Sequence, residues 1–250
     1  FISLHNYSSL VLKYYSTFEN SLLALQRCIN SYNKLPQEEK NTNNSIINIS
    51  KIEYKNVSIK YNTNAIILKN VNLLIKNGEK IGICGKTGVG KTTLLMSLLK
   101  MTNIDSGSII FNDDVNLSDI NEKILREKII CITQDINLFD GLTIKENIDP
   151  YNKHEINEID QEFKKINEDE DFNLKNIINK KIREINLSFG QKNIICFLRV
   201  LLRCNEGNSN VILLDEMTDK SDYLTSRKII NLLFEKYQDF IFFIVSHRMN

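Results

Sequence analysis

The sequence predicts an α/β fold built on a mainly parallel sheet that is covered by helices. Four short apolar runs carry this prediction, at residues 81–84, 129–133, 211–214 and 240–245. Runs that are apolar on both faces are typical of strands in a parallel sheet with helices on either side. Helical patterns such as residues 92–101 and 193–202 lie between these runs, so the chain alternates strand, crossover and strand.

The composition is that of a globular protein and argues against several other classes. The 250 residues carry a formal net charge of +1 and are 42% hydrophobic and 25% charged, which predicts a globular chain with one large domain and an appendage. The charge balance gives no support for nucleic-acid binding, and no apolar run approaches the roughly 18 residues that span a bilayer. Five scattered cysteines favour reduced thiols in a cytosolic setting.

The first 45 residues differ from the rest of the chain. Apolar residues recur there at spacings of three and four, which predicts a long helix with an apolar seam. The seam residues are Val11, Tyr15, Phe18, Leu22, Leu25 and Ile29. The helix either packs on its own domain or belongs to a neighbouring one. A polar linker at 37–45 follows it, and residues 47–61 and 66–75 then have strand patterns that lead to a turn at Asn77–Gly78.

Polar residues follow each of the four apolar runs. A glycine-rich segment begins at Gly85, Gln134 follows the second run, Asp215 and Glu216 follow the third, and His247 follows the fourth. In an open parallel sheet the ligand crevice lies at the carboxyl ends of the strands, so we expect these groups to meet at one ligand.

The glycine-rich segment matches G-x-x-x-x-G-K-[ST] between a strand and a helix, which is the context of a phosphate-binding loop. Its backbone N–H groups and the helix N-terminus are expected to hold the phosphates of a nucleotide. The predicted nucleotide-binding residues here are Gly85, Lys86, Thr87, Gly88, Val89, Gly90, Lys91, Thr92 and Thr93. Lys91 supplies a positive charge and Thr92 a hydroxyl for Mg²⁺.

The other strand-end groups complete a hydrolytic site. Asp215 is expected to organise the Mg²⁺ shell, and Glu216 to polarise the attacking water. Gln134 is expected to reach Mg²⁺ and the water, and His247 to contact the γ-phosphate. Taken singly, each of these residues could be an ordinary surface group, so the prediction depends on the phosphate loop upstream.

Residues 187–191 add a fifth motif. Ser188 and Gln191 fit a capping box at the start of a helix, but a cap does not explain Gly190. Together with the four motifs above, in this order, the segment resembles the signature of ATP-binding cassette (ABC) transporters over residues 46–250. The segments 134–141, 147–150 and 196–202 resemble the C subfamily, the multidrug resistance-associated proteins, and specifically their second nucleotide-binding domain. Residues 18–36 resemble the end of the preceding transmembrane domain.

This resemblance implies a domain organisation. It implies a P-loop NTPase ABC cassette at 46–250, with a mainly parallel core sheet, an antiparallel β subdomain and a helical subdomain at about 136–200. Residues 1–45 would be the end of a transmembrane-domain helix and a linker. The cassette would be truncated at its C-terminus, because the closing helices of the family are expected after residue 250.

The resemblance also implies ligands, partners and an activity. ATP and Mg²⁺ would be bound, and Tyr61 would stack on adenine, although a strand-edge tyrosine is an equally good interpretation of that residue. A second nucleotide-binding domain would complete the site in a head-to-tail sandwich, contacted by Leu187, Ser188, Phe189, Gly190, Gln191 and Asp222. Transmembrane domains of the same transporter would couple ATP hydrolysis to export of organic anions or conjugates, with the cassette on the cytoplasmic side of a membrane.

Some residues depart from the family pattern. Phe189 and Met217 stand where smaller residues are usual, and Leu142 resembles a one-residue insertion. These departures concern the geometry of the closed sandwich, not nucleotide binding.

Two other functions fit the motifs. One is a regulatory ATP-binding module of a channel or receptor, against which the intact Glu216 and His247 argue. The other is a soluble cassette ATPase that acts on DNA or ribosomes, against which the short interval between Lys91 and Ser188 argues.

Overall fold

The computed structural model describes residues 2–34, 48–60, 66–133, 137–167, 172–215 and 223–246. The chain divides into two compact units, residues 1–40 and 41–250. In the first unit the described residues form helix α1 (Ile2–Lys34), whose described side chains are exposed, including the predicted seam. Within the described residues, no helix combines the length and the hydropathy that crossing a bilayer requires. The predicted boundary at residue 45 remains a prediction.

The described residues of the second unit form two sheets. The strands of the first are β1 (Lys51–Lys60), β2 (Ile66–Lys76), β4 (Ile104–Phe111) and β5 (Val115–Asn116). They pair antiparallel in the order β2-β1-β4-β5. The strands of the second are β3 (Lys80–Cys84), β6 (Ile129–Ile132), β7 (Val211–Asp215) and β8 (Ile241–Ser246). They pair parallel in the order β3-β8-β7-β6. The predicted α/β class and parallel sheet are confirmed.

Helices fill the connections between the strands. They are α2 (Lys91–Leu98), α3 (Glu122–Lys128), α4 (Ile144–Ile148), α5 (Ile156–Ile166), α6 (Leu174–Ile177), α7 (Phe189–Asn205) and α8 (Tyr223–Lys236). Short 3-10 turns occur at Leu117–Asp119 and Ile182–Glu184. Four of the helices, α4 to α7, lie between β6 and β7 in sequence, where the helical subdomain was predicted.

The parallel sheet separates two hydrophobic cores. Strand β7 shows the principle, because Val211 and Leu213 belong to one core while Ile212 and Leu214 belong to the other. Alternate residues of a strand point to opposite faces, so a strand between two layers must be apolar throughout. One core joins the sheet to α2 and the antiparallel sheet, and the other joins it to α4–α8.

Strand β3 differs from its prediction. The sequence predicts burial on both faces at 81–84, but Gly82 and Cys84 are exposed, and Ile81 and Ile83 are only half-buried. In the described part of the sheet β3 pairs with β8 alone, so it is an edge strand. Ile81 and Ile83 pack against one core, and the other face is open. A second difference concerns α7, which begins at Phe189, four residues before the helix predicted at 193.

Candidate functional site

The carboxyl ends of the four parallel strands are level with one another. Cys84 of β3 is in register with Ser246 of β8, and Asp215 of β7 with Val245 of β8. Ile132 of β6 is in register with Leu214. The residues that follow these strands therefore start from one edge of the sheet, as the sequence predicts.

The glycine-rich loop connects β3 to α2 at this edge. Residues 86–89 are exposed, and Gly88 and Gly90 adopt φ angles of 82° and 97°. A Cβ atom at Gly90 would lie 2.7 Å from Ile67 Cγ2 and 2.9 Å from Leu68 Cδ2, so both its backbone conformation and its surroundings favour glycine. Gly90 is also the residue that precedes α2, which begins at Lys91. The loop thus leads directly into the N-terminus of α2, where the backbone N–H groups have no hydrogen-bond partners within the helix.

Lys91 lies beneath this loop. Only 7% of its surface is exposed, and its ammonium donates hydrogen bonds to the carbonyl oxygens of Gly85 (2.9 Å) and Lys86 (3.1 Å). These bonds fix a positive charge inside the loop. An anion at the helix N-terminus would therefore meet that charge and the helix dipole together.

The hydroxyl of Thr92 contacts the end of β7. Thr92 Oγ1 donates to Asp215 Oδ2 at 2.9 Å, across 123 positions of sequence. Thr92 is exposed, whereas Asp215 is buried. Two of the three predicted Mg²⁺ ligands are thus brought together next to Lys91, and the third, Gln134, lies outside the described residues.

The donor set fits Mg²⁺. A hydroxyl and a carboxylate are oxygen ligands of the kind that Mg²⁺ prefers, and this ion takes few of its ligands from protein. Among the described residues, no three His, Cys, Asp or Glu side chains cluster closely enough to hold a metal ion. The Thr92 hydroxyl and the Asp215 carboxylate would leave the other ligand positions of Mg²⁺ to phosphate oxygens and water.

Cys131 was not predicted as a site residue, yet it lies near Asp215. It belongs to β6, which pairs with β7. Burial and, to a lesser extent, the negative charge of Asp215 together raise the pKa of its thiol to about 11. The thiol thus stays neutral beside the carboxylate. Only the pairing of the two strands reveals this neighbour.

The predicted signature residues form the start of α7. Ser188 Oγ accepts from Gln191 N at 3.2 Å, and Gln191 Oε1 accepts from Ser188 N at 3.0 Å, so the predicted capping box is present. Leu187 is buried in the helical core, Gly190 is half-buried, and Ser188 and Phe189 are exposed. Leu187 therefore anchors the start of the helix in the core, while Ser188 and Phe189 are exposed to solvent.

Five predicted site residues lie outside the described residues. They are Tyr61, Gln134, Glu216, Asp222 and His247. Their described chain neighbours are Lys60, Thr133, Asp215, Tyr223 and Ser246. Thr93, also predicted to bind nucleotide, is described and is buried one residue after Thr92. The roles of these residues remain predictions.

Comparison with known proteins gives consistent results. A family model described as "ABC transporter" matches residues 68–219. The chain is 31% identical to bile pigment transporter 1 of Saccharomyces cerevisiae over 261 residues, which covers 94% of this chain and 16% of that protein. It is 35% identical to ABC transporter C family member 2 of Dictyostelium discoideum over 209 residues, which covers 80% of this chain and 14% of that protein.

A solved structure is also similar. It is a bacterial Atm1-family ABC exporter with ATP bound, which matches with a TM-score of 0.80 and 22% identity and covers 94% of this chain and 41% of that one. At this identity the likeness shows the fold. The chain spans about a sixth of the length of the curated relatives that it matches.

Proposed function

The chain belongs to the ABC transporter family, as a cassette of the C-subfamily type, and from this premise we propose that it binds MgATP and hydrolyses it to drive export across a membrane. The single observation that carries the proposal is the contact of Thr92 with Asp215 beside the buried ammonium of Lys91. It places a metal-ligand pair and a fixed positive charge at one helix N-terminus. That combination suits a polyphosphate with its magnesium ion.

ATP binding is assigned to the loop and its neighbours. Residues 85–93 would surround the phosphates, and Thr92, Asp215 and Gln134 would hold Mg²⁺, which neutralises the charge of the phosphates when bound. Lys91 would exchange part of its bonding to the carbonyls of Gly85 and Lys86 for phosphate oxygens. Tyr61 would stack on the adenine ring.

Hydrolysis is assigned to residues at the strand ends. Glu216 directly follows Asp215, so it would accept a hydrogen bond from the attacking water and take up its proton. Gln134 would orient that water, and His247 would donate to the γ-phosphate. The site would be completed by a second cassette, whose Ser188, Phe189 and Gly190 counterparts would lie over the phosphate loop. Leu187, Gln191 and Asp222 would support this head-to-tail contact.

Coupling to a membrane is assigned to partners outside this chain. Transmembrane domains of the same transporter would dock on the cassette from the membrane, with the cassette on the cytoplasmic side. Phe139 and Leu142 are exposed at 64% and 38% in the segment that follows Gln134, and apolar side chains exposed together are a favourable docking surface. The bile pigment transporter among the relatives supports organic anions or conjugates as the exported class.

The test uses the intact transporter in membrane vesicles. We expect the Glu216→Gln variant to bind ATP and to remain as a closed dimer, with ATP hydrolysis at least a hundredfold slower than in the parent. ATP-dependent uptake of a conjugated anion into inside-out vesicles should stop in the same variant. Hydrolysis at the parent rate would remove Glu216 from the base role. Hydrolysis without uptake of any solute would favour the regulatory module or the soluble ATPase instead.

A further inference from the structure

We propose that Arg199 is a positioning residue that holds the segment after Gln134 to the signature helix α7, so that the two move as one body when ATP binds. The proposal rests on the proposed function and adds a residue to it. Arg199 lies in the segment 196–202 that resembles the C subfamily, but no role was predicted for it. Its side chain is half-buried in the helical part of the cassette.

Arg199 bonds to two carbonyl groups of this segment. Its Nε donates to Asn147 O at 2.7 Å, and its two terminal nitrogens lie 3.5 and 3.4 Å from Asn137 O. The planar guanidinium can donate hydrogen bonds to both carbonyl groups at the same time, which an ammonium group cannot do in this geometry. Asn137 comes three positions after Gln134, and Asn147 lies in α4. The arginine therefore joins both ends of an eleven-residue stretch, 137–147, to α7.

The side chain of Asn147 connects the two ends of this stretch by hydrogen bonds to its backbone. Asn147 is 1% exposed, and its Oδ1 accepts from Phe139 N at 2.8 Å. Its Nδ2 donates to Phe139 O at 3.1 Å and to Thr143 O at 2.9 Å. A buried amide with this many partners holds the backbone in one arrangement, because each lost bond would leave a polar group buried without water. Residues 137–147 can thus transmit a displacement without rearranging.

The other end of α7 carries the signature. Ser188 precedes the helix, and Arg199 lies eleven residues further along, or about 16 Å at 1.5 Å per residue. The intervening helix is packed into the hydrophobic core on the sides of Ile195 and Leu198. A shift of the segment after Gln134 would therefore reach Ser188 as a shift of the whole helix. Ile144 and Ile148 of α4 belong to the same core as α7, so the two elements are also in apolar contact, and the Arg199 bonds add a directional connection that fixes the position of one against the other.

Arg203 provides a matched control on the same helix. It follows Arg199 by about one turn, is also half-buried, and also donates to a backbone carbonyl, that of Arg126 at 2.9 Å. This bond connects α7 to α3, not to the segment after Gln134. Substitution of either arginine thus removes a bond that anchors α7. Only substitution of Arg199 also removes the connection of α7 to residues 137–147.

The experiment compares Arg199→Gln, Arg199→Lys and Arg203→Gln in the intact transporter. For Arg199→Gln we expect a Kd for MgATP within twofold of the parent and a kcat for ATP hydrolysis about tenfold lower, because the charge-assisted bonds to the carbonyls of Asn137 and Asn147 are lost. Arg199→Lys should recover part of the rate because an ammonium can still reach one carbonyl. Arg203→Gln should lower the melting temperature while kcat stays within twofold. Equal losses of kcat in the two glutamine variants, or a parallel loss of MgATP affinity in Arg199→Gln, would overturn the proposal.

A second measurement tests whether Arg199 connects residues 137–147 to α7, and it does not require ATP hydrolysis. It therefore remains informative if the parent hydrolyses no ATP, a result that would contradict the proposed function. Hydrogen exchange is followed with and without MgATP in the parent and in Arg199→Gln. We expect MgATP to slow exchange at residues 137–143 and 189–192 together in the parent, and only one of the two segments to respond in the variant. The same paired response in the variant would show that Arg199 does not connect them.

Discussion

Thr92 Oγ1 donates a hydrogen bond to Asp215 Oδ2 at 2.9 Å, and this contact joins the phosphate loop to the central strand β7. The exposed hydroxyl lies at the start of α2, and the carboxylate lies at the end of a fully buried strand. The hydroxyl and the carboxylate would together hold a magnesium ion at this position. We therefore expect the pair to favour the magnesium form of the nucleotide.

The first prediction concerns this pair. Asp215→Asn keeps an acceptor for the Thr92 hydroxyl but removes the charge, so we expect the gain in ATP affinity on adding Mg²⁺ to fall by about tenfold. Thr92→Val, which removes the hydroxyl at nearly constant volume, should have the same effect. Calorimetry with ATP in the presence of Mg²⁺ or of EDTA measures this gain. Affinity for metal-free ATP serves as the control and should change little. A magnesium effect equal to that of the parent in both variants would contradict the assignment.

The second prediction separates two roles of Ser188. Ser188→Ala removes the cap of α7 and should reduce the free energy of unfolding by about 1 kcal/mol. Ser188→Asp keeps a good cap and should preserve stability, yet its negative charge would repel the γ-phosphate of ATP held by a second cassette. Denaturant unfolding of both variants and ATP hydrolysis by the intact transporter measure the two effects. ATP hydrolysis at the parent rate in Ser188→Asp would show that Ser188 only caps α7 and does not contact the γ-phosphate.

The third prediction concerns acid stability of the helical region. A hydrogen bond from Lys164, with Lys175 also close, holds the pKa of the buried Asp160 carboxyl below its usual range. A lowered folded-state pKa means that the stabilisation is present above the unfolded-state value and is lost as pH falls through about 4 and below. Asp160→Asn should therefore be less stable than the parent at pH 7, and the difference should shrink on acidification. Urea unfolding from pH 7 to pH 3 measures it, with the exposed Asp239→Asn as the matched control. A difference that does not change with pH would contradict the ion-pair account.

The sequence predicts the features that depend on local pattern. Strand β7 is apolar on both faces because each face has its own core, so its continuous apolar run was sufficient to identify it. The phosphate loop and the Ser188 cap are also local, because each is specified by a few adjacent residues. The Ser188 cap indicates the start of α7 correctly, whereas the helical pattern is visible only from residue 193, because the glycine and polar residues at 190–193 conceal it.

Features that depend on the order of strands could not be predicted in the same way. The edge position of β3, and hence the exposure of Cys84, follows from which strand pairs with which. The proximity of Cys131 to Asp215 has the same origin. The bond from Arg199 to Asn147 spans 52 positions, and although both residues lie in segments that resemble the C subfamily, the sequence does not predict that they are in contact. Such contacts arise from packing between elements that are far apart in the chain.

The most direct test of the central claim is calorimetric titration of the protein with MgATP, in the parent and in Lys91→Ala. Lys91 is held inside the phosphate loop by two carbonyl groups, so its loss removes the charge that would face the phosphates. We expect saturable binding of one MgATP per chain in the parent and binding weaker by about 10- to 100-fold in the variant. The exposed Lys69→Ala variant should bind as the parent does. Absence of binding in the parent, or equal affinity in the parent and Lys91→Ala, would contradict the account.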